Sequence, residues 1–145
     1  MRLSAFSNTS MLTNLEHLGL AVQDLEAATT LYTMLLGQEP YKREHVASEA
    51  VDTVFFQVGS SKIELLAGTS PDSAITRYLE KKPEGIHHVA FEVDDIWAEM
   101  ARLRQEGFTL LNEQPKRGAD NKLVCFVHPK SAGGVLVELC QSITS

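Results

Sequence analysis

The chain has 145 residues, 43% of them hydrophobic and 22% charged, which suits one soluble domain with an apolar core of its own. A formal net charge of −6 argues against a nucleic-acid or anionic-membrane partner, and no apolar run reaches transmembrane length. The two cysteines, Cys125 and Cys140, make no metal-spaced pair and point to a reduced, cytoplasmic protein.

Residues 1–14 are polar, lack a signal peptide's apolar run and are expected to form a flexible arm. A strand is expected over 15–22, followed by a helix over 24–36. Leu25, Ala28, Tyr32 and Leu35 keep helical spacing there. Asp24 can accept from the free amides of the first turn, and Gly37 can take the left-handed turn after the last. The next strands are expected over 41–44 and 51–58, with 48–50 as a loop. Gly59, Ser60 and Ser61 then turn the chain into a strand over 62–67, which closes a hairpin. A short bridging helix lies within 70–83, with Ser70 as its cap and Pro71 at its first position.

The second half repeats this order. A strand over 86–93 leads to a helix over 95–106, opened by Asp95, closed by Gly107 and spaced by Ile96, Met100 and Leu103. Strands over 108–112, 122–128 and 135–140 follow, the first two separated by a basic, Gly-containing loop over 115–121. His17 and His88, Val22 and Val93, and Asp24 and Asp95 are each 71 residues apart, about half the chain. A repeat of that length indicates a duplicated module folded into one domain over 15–141. Module one covers about 15–68 and module two about 85–141. Each ends in a strand with one embedded acid, Glu64 and Glu138. Two βαβββ modules predict an α+β fold in which one mixed sheet curls into a cup, with helices on its outer face.

Strand alternation sorts the candidate site residues. His17, Gly19 and Ala21 share a face, as do His88 and Ala90. Glu64 and Glu138 stand opposite the apolar pairs Ile63/Leu65 and Val137/Leu139. With the apolar side on the helices, His17, Glu64, His88 and Glu138 face the concave side. A lone His on a strand is usually a hydrogen-bonded core residue, and a lone Glu usually faces solvent. The same types in the same order in both modules shift the balance toward ligands for a divalent metal. His87 alternates to the opposite face and reads as structural, while His45 and His128 read as solvated or at the rim.

These residues resemble the vicinal oxygen chelate (glyoxalase/bleomycin resistance/dioxygenase) superfamily and, within it, the methylmalonyl-CoA epimerase family. The resemblance runs over about 15–141. It is carried by His17-Leu18-Gly19-Leu20-Ala21-Val22, Glu64-Leu65-Leu66 and Gly85-Ile86-His87-His88-Val89-Ala90-Phe91-Glu92-Val93. The most specific stretch is Phe126-Val127-His128-Pro129-Lys130-Ser131-Ala132-Gly133-Gly134-Val135-Leu136-Val137-Glu138-Leu139. The resemblance implies one divalent ion (Co, Ni, Mn or Zn) held by His17, Glu64, His88 and Glu138. It implies inversion of the 2-carbon of methylmalonyl-CoA by proton abstraction through a metal-chelated enolate, with Glu138 as both ligand and base. A homodimer is implied, and Lys116, Arg117 and Lys130 are candidates to meet the phosphates of the acyl-CoA substrate. Some family members carry a second basic glutamate in the strand before the hairpin; the matching position here is Thr53. Alternatives on the same fold are a glyoxalase I-like lactoylglutathione lyase and a non-catalytic ligand-binding protein. A ring-cleaving dioxygenase fits less well, because a fourth protein ligand fills a position that oxygen needs.

Overall fold

The computed structural model describes residues 12–144. Strand β1 spans Leu12–Ala21 and so starts before the expected boundary. Leu12 and Asn14 pair with Val93 and Glu92, which puts the last three residues of the expected arm in the sheet. Residues 1–11 of that arm lie outside the described residues. Helix α1 (Leu25–Leu36) is capped as its sequence predicts. The Asp24 carboxylate accepts from the Ala27 N–H at 3.0 Å, and Gly37, at φ 68°, donates to the Thr33 carbonyl.

Strands β2 (Lys42–Val46), β3 (Val51–Val58) and β4 (Ser61–Gly68) complete the first module. Helix α2 (Ala74–Lys81) starts at Ser73 rather than Ser70. Ser70 spends its carbonyl on a turn, accepting from the Ser73 N–H at 3.2 Å and the Thr76 hydroxyl at 2.7 Å, so Pro71 lies before the helix.

In the second module β5 (Gly85–Val93) leads to α3 (Ile96–Gln105), whose N-terminal amide at Ala98 is capped by Asp95. The expected strand over 108–112 is reduced to one bridge between Leu110 and Val127. Beside that bridge the Leu111 N–H donates to the Phe126 carbonyl and the His128 N–H to the Thr109 carbonyl, and side chains take the groups that follow: Arg104 donates to the carbonyls of Asn112 and Glu113, and the Asn112 side chain accepts from the Phe126 N–H. The module's second strand, β6, falls at Lys116–Gly118, inside the expected loop. Strand β7 is Lys122–Val127. A 3-10 turn over Pro129–Ala132 and positive φ at Gly133 and Gly134 delay β8 to Val137–Ser142.

The eight strands form one mixed sheet in the order β2-β3-β4-β1-β5-β8-β7-β6. Each module pairs its first and last strands in parallel (β1 with β4, β5 with β8), and the modules join where β1 and β5 run antiparallel. The sheet curls until its two ends meet. Beyond β6 the Asp120 N–H donates to Glu44 on β2 at 2.9 Å, and Lys42 donates to the Asp120 carboxylate at 3.0 Å.

Two helices cover the outer face. Leu25, Ala28 and Tyr32 of α1 pack on Leu20, Val54, Phe56 and Leu65, while Ile96, Met100 and Leu103 of α3 pack on Val93, Cys125, Val127 and Leu139. Each such buried side chain stabilises the sheet–helix layer by about 1.5–3 kcal/mol. Helix α2 differs: its Ile75 packs with Ala21, Val51 and Leu66 and lines the cup itself. Among the described residues no helix is long and apolar enough to cross a membrane.

Candidate functional site

Strand register places the site at the seam between the modules. Gly19 on β1 stands between Glu64 on β4 and His88 on β5, and in the neighbouring row His17 stands beside Ala90, which in turn pairs with Glu138 on β8. The small residues make room for the large ones. A Cβ built on Gly19 would lie 2.2 Å from His88 Cε1, so the His88 ring occupies the space that a side chain would fill.

Three ligand-type atoms converge there. His17 Nε2 and His88 Nε2 are 3.0 Å apart, and Glu138 Oε1 lies 3.3 Å from His88 Nε2 and 3.7 Å from His17 Nε2. Donors bonded to a common ion at about 2.0–2.2 Å sit roughly 3–3.5 Å from one another in tetrahedral or octahedral sites, so this triangle fits a divalent ion with little movement. Glu64 stands one step away. Its Oε2 is 3.0 Å from His17 Nδ1, on the opposite side of the imidazole from the triangle. All four side chains are buried.

The charges are mutually dependent. Burial would raise the Glu138 pKa, but hydrogen bonds and attraction from His17 and His88 hold it down at about 2. Burial would likewise favour neutral His17, but Glu138, Glu16 and Glu64 raise its pKa well above the usual value. His17 is thus shared among three carboxylates, Glu138 at Nε2 and Glu16 and Glu64 at Nδ1.

Glu16 and His87 were not foreseen at this site. Glu16 is buried, 3.3 Å from His17 Nδ1 and 3.1 Å from Lys62 Nζ; the pairing with His17 and Lys62 lowers its pKa against the opposing effect of burial. Lys62 bridges onward to Asp120 at 2.7 Å, and Lys122 lies 3.9 Å from Glu16. His87 corrects the alternation argument. It lines the cup rather than the opposite face, with its Nδ1 3.0 Å from His88 Nδ1 and its ring edge-on to Tyr78. Burial, then the neighbouring His88, lower its pKa to about 4.

The cup encloses a cavity of about 310 Å³ whose walls include Val51, Leu66, Ile75, Val124 and Leu136. Thr53 is in this wall, with its buried hydroxyl lacking a hydrogen-bond partner among the described residues. Glu49, on the turn after β2, also lines the cavity and is ion-paired to Lys116 from β6. Asp52 points away and pairs with exposed His45 at 2.7 Å. Of the three basic candidates, Lys116 lines the cavity. Arg117 is exposed, its guanidinium bonded to the Asn121 side chain at 3.4 Å, and Lys130 lies exposed on the turn before β8.

Comparison with known proteins covers nearly the whole chain. The family model described as Glyoxalase/Bleomycin resistance protein/Dioxygenase superfamily matches residues 16–126. The ethylmalonyl-CoA/methylmalonyl-CoA epimerase of Cereibacter sphaeroides is 42% identical over 133 residues, covering 90% of this chain and 99% of its own. The mitochondrial methylmalonyl-CoA epimerase of Mus musculus is 42% identical over 129 residues, covering 88% of this chain and 72% of its own. The crystal structure of methylmalonyl-CoA epimerase from Mycobacterium tuberculosis superposes with a TM-score of 0.89 at 34% identity, covering 97% of this chain and 95% of its own. A methylmalonyl-CoA epimerase in complex with methylmalonyl-CoA and NH4+ superposes with a TM-score of 0.88 at 34% identity, covering 92% of this chain and 96% of its own.

Proposed function

The chain belongs to the glyoxalase/bleomycin resistance protein/dioxygenase superfamily, and we propose that within it the protein is an isomerase, a metal-dependent methylmalonyl-CoA epimerase. The observation that carries this reading is the buried triangle of His17 Nε2, His88 Nε2 and Glu138 Oε1 at the cavity wall. Those three residues would hold the ion, with Glu64 as the fourth ligand. A divalent ion bound there would supply a Lewis acid for the oxygens of the thioester and carboxylate.

Inversion requires a proton to leave one face of the 2-carbon and return to the other. Both contacts of Glu138 with the imidazoles fall on Oε1, and we assign the other carboxylate oxygen, Oε2, to proton transfer on one face. Glu49 is the cavity carboxylate outside the proposed ligand set and is assigned to the other face, with Lys116 holding it in place. Thr53 takes a different role from the glutamate expected at its position: its unpartnered hydroxyl is available to donate to a substrate oxygen. The apolar wall excludes water while the proton is in transit.

The direct test is metal analysis of the purified protein, paired with turnover of methylmalonyl-CoA and, as a control, of the methylglyoxal–glutathione hemithioacetal. One divalent ion per chain and epimerase turnover are expected. Turnover of the hemithioacetal alone would assign the chain to the lyase reaction instead. Glu49→Gln provides a second test, in which deuterium uptake from heavy water is followed for each epimer separately. Exchange into one epimer should fall by about 10²–10⁴-fold while exchange into the other persists. Equal exchange into both epimers at the wild-type rate would remove Glu49 from the mechanism.

A further inference from the structure

The registers of β1 and β5 each skip one residue beside the candidate ligands. Leu15 pairs with Phe91 but His17 with Ala90, leaving Glu16 extra; Gly19 pairs with His88 but Leu20 with Ile86, leaving His87 extra. A β-bulge of this kind re-aims the side chain next to it. Here two consecutive residues in each strand, Glu16 with His17 and His87 with His88, therefore face the cup. The extra residues are 71 positions apart, the same offset that separates the two histidines. They also make the same contact, each reaching Nδ1 of the histidine that follows, at 3.3 Å from Glu16 and 3.0 Å from His87.

We infer that the two bulges are a duplicated device in which Glu16 and His87 are positioning residues, each accepting a hydrogen bond from the following histidine's Nδ1–H so that its Nε2 is held toward the ion site. This inference rests on the proposed metal-binding role of the triangle. An imidazole that ligates through one nitrogen needs a partner on the other to set its tautomer and ring orientation. The two Nε2 atoms meet at 3.0 Å with the rings crossing at 84°, as two such aimed imidazoles would. The two partners differ in kind. His17 is backed by an anionic carboxylate and His88 by a neutral imidazole, itself held edge-on by Tyr78 with ring centroids 4.7 Å apart. Glu64 touches the same Nδ1 of His17, so Glu16 can keep that ring aimed when Glu64 turns to ligate.

Nitrogen NMR of histidine-labelled, metal-free wild-type protein tests the device without substitution. His88 should carry its proton on Nδ1; a proton on Nε2 would overturn the assignment. Two variants then separate the hydrogen bond from packing. His87→Asn places an acceptor near the original Nδ1, whereas His87→Phe keeps a ring against Tyr78 but accepts nothing. Titrated with Co2+, the Phe variant should bind about 10–100-fold more weakly than wild type, and the Asn variant should recover most of that loss. Wild-type affinity in the Phe variant, or equal weakening in both, would refute a positioning role. If wild-type protein takes up no Co2+, the metal reading itself fails. The His88 tautomer still decides the hydrogen-bonding half of the inference in that case, and also if the Phe variant does not fold.

Discussion

Glu138→Gln is expected to lower deuterium exchange into one epimer of methylmalonyl-CoA by about 10²–10⁴-fold, the contribution of a positioned general base, while exchange into the other epimer, assigned to Glu49, persists. The amide keeps an oxygen near the two imidazoles, so ion binding should weaken but remain measurable by Co2+ titration. A second readout comes from the metal-free protein. The Glu138 pKa is lowered from 4.5 to about 2 in the fold, so its stabilising contribution is present above pH 4.5 and lost as pH falls toward 2. The variant should therefore melt below wild type at pH 7, with the gap closing near pH 2. Full exchange into both epimers by the variant with its ion in place would remove Glu138 as a base.

Gly19→Ala should damage both the fold and the site. The new Cβ would fall 2.2 Å from His88 Cε1 and 2.6 Å from both ring nitrogens. Neither side can yield easily, because Gly19 is in the central β1–β5 pair and the His88 ring is buried. Overpacking of this kind destabilises by about 1–3 kcal/mol. The larger expected effect is on the site: with His88 displaced, Co2+ affinity and turnover should each fall by at least about 100-fold. Thermal melting and Co2+ titration of the same sample separate the two effects. Wild-type affinity in a folded Gly19→Ala protein would remove His88 from the ion site.

The helices and the duplication were legible because their signals are local or repeat at a fixed offset. Asp24 and Asp95 cap their helices as their positions predict, and the apolar spacing of Leu25, Ala28 and Tyr32 marks the face that meets the sheet. The common offset of His17 and His88, with the embedded Glu64 and Glu138, singled out four residues; the donors of His17, His88 and Glu138 converge, and Glu64 stands behind the His17 ring. The short strand β6 was not legible, because its three residues, Lys116–Gly118, carry no apolar alternation and are strand only through their pairing with Val124, Leu123 and Lys122. Charge pairs such as Glu16 with Lys62 and Glu49 with Lys116 join residues 46 and 67 positions apart, and no periodicity links their sequences.

Alternation along each strand, read from the sequence alone, determined which face of the sheet packs on α1 and α3, and with it the placing of His17, His88 and Glu138 inside the cup. Tertiary structure alone decided the surroundings of those residues. An alternation rule assumes one residue opposite one, and both β1 and β5 break it beside a histidine. Where a bulge forms depends on how two strands some 70 residues apart settle into register, a property of the pairing and not of either strand. That register turns Glu16 and His87 into the cup, against the faces their own sequences predict.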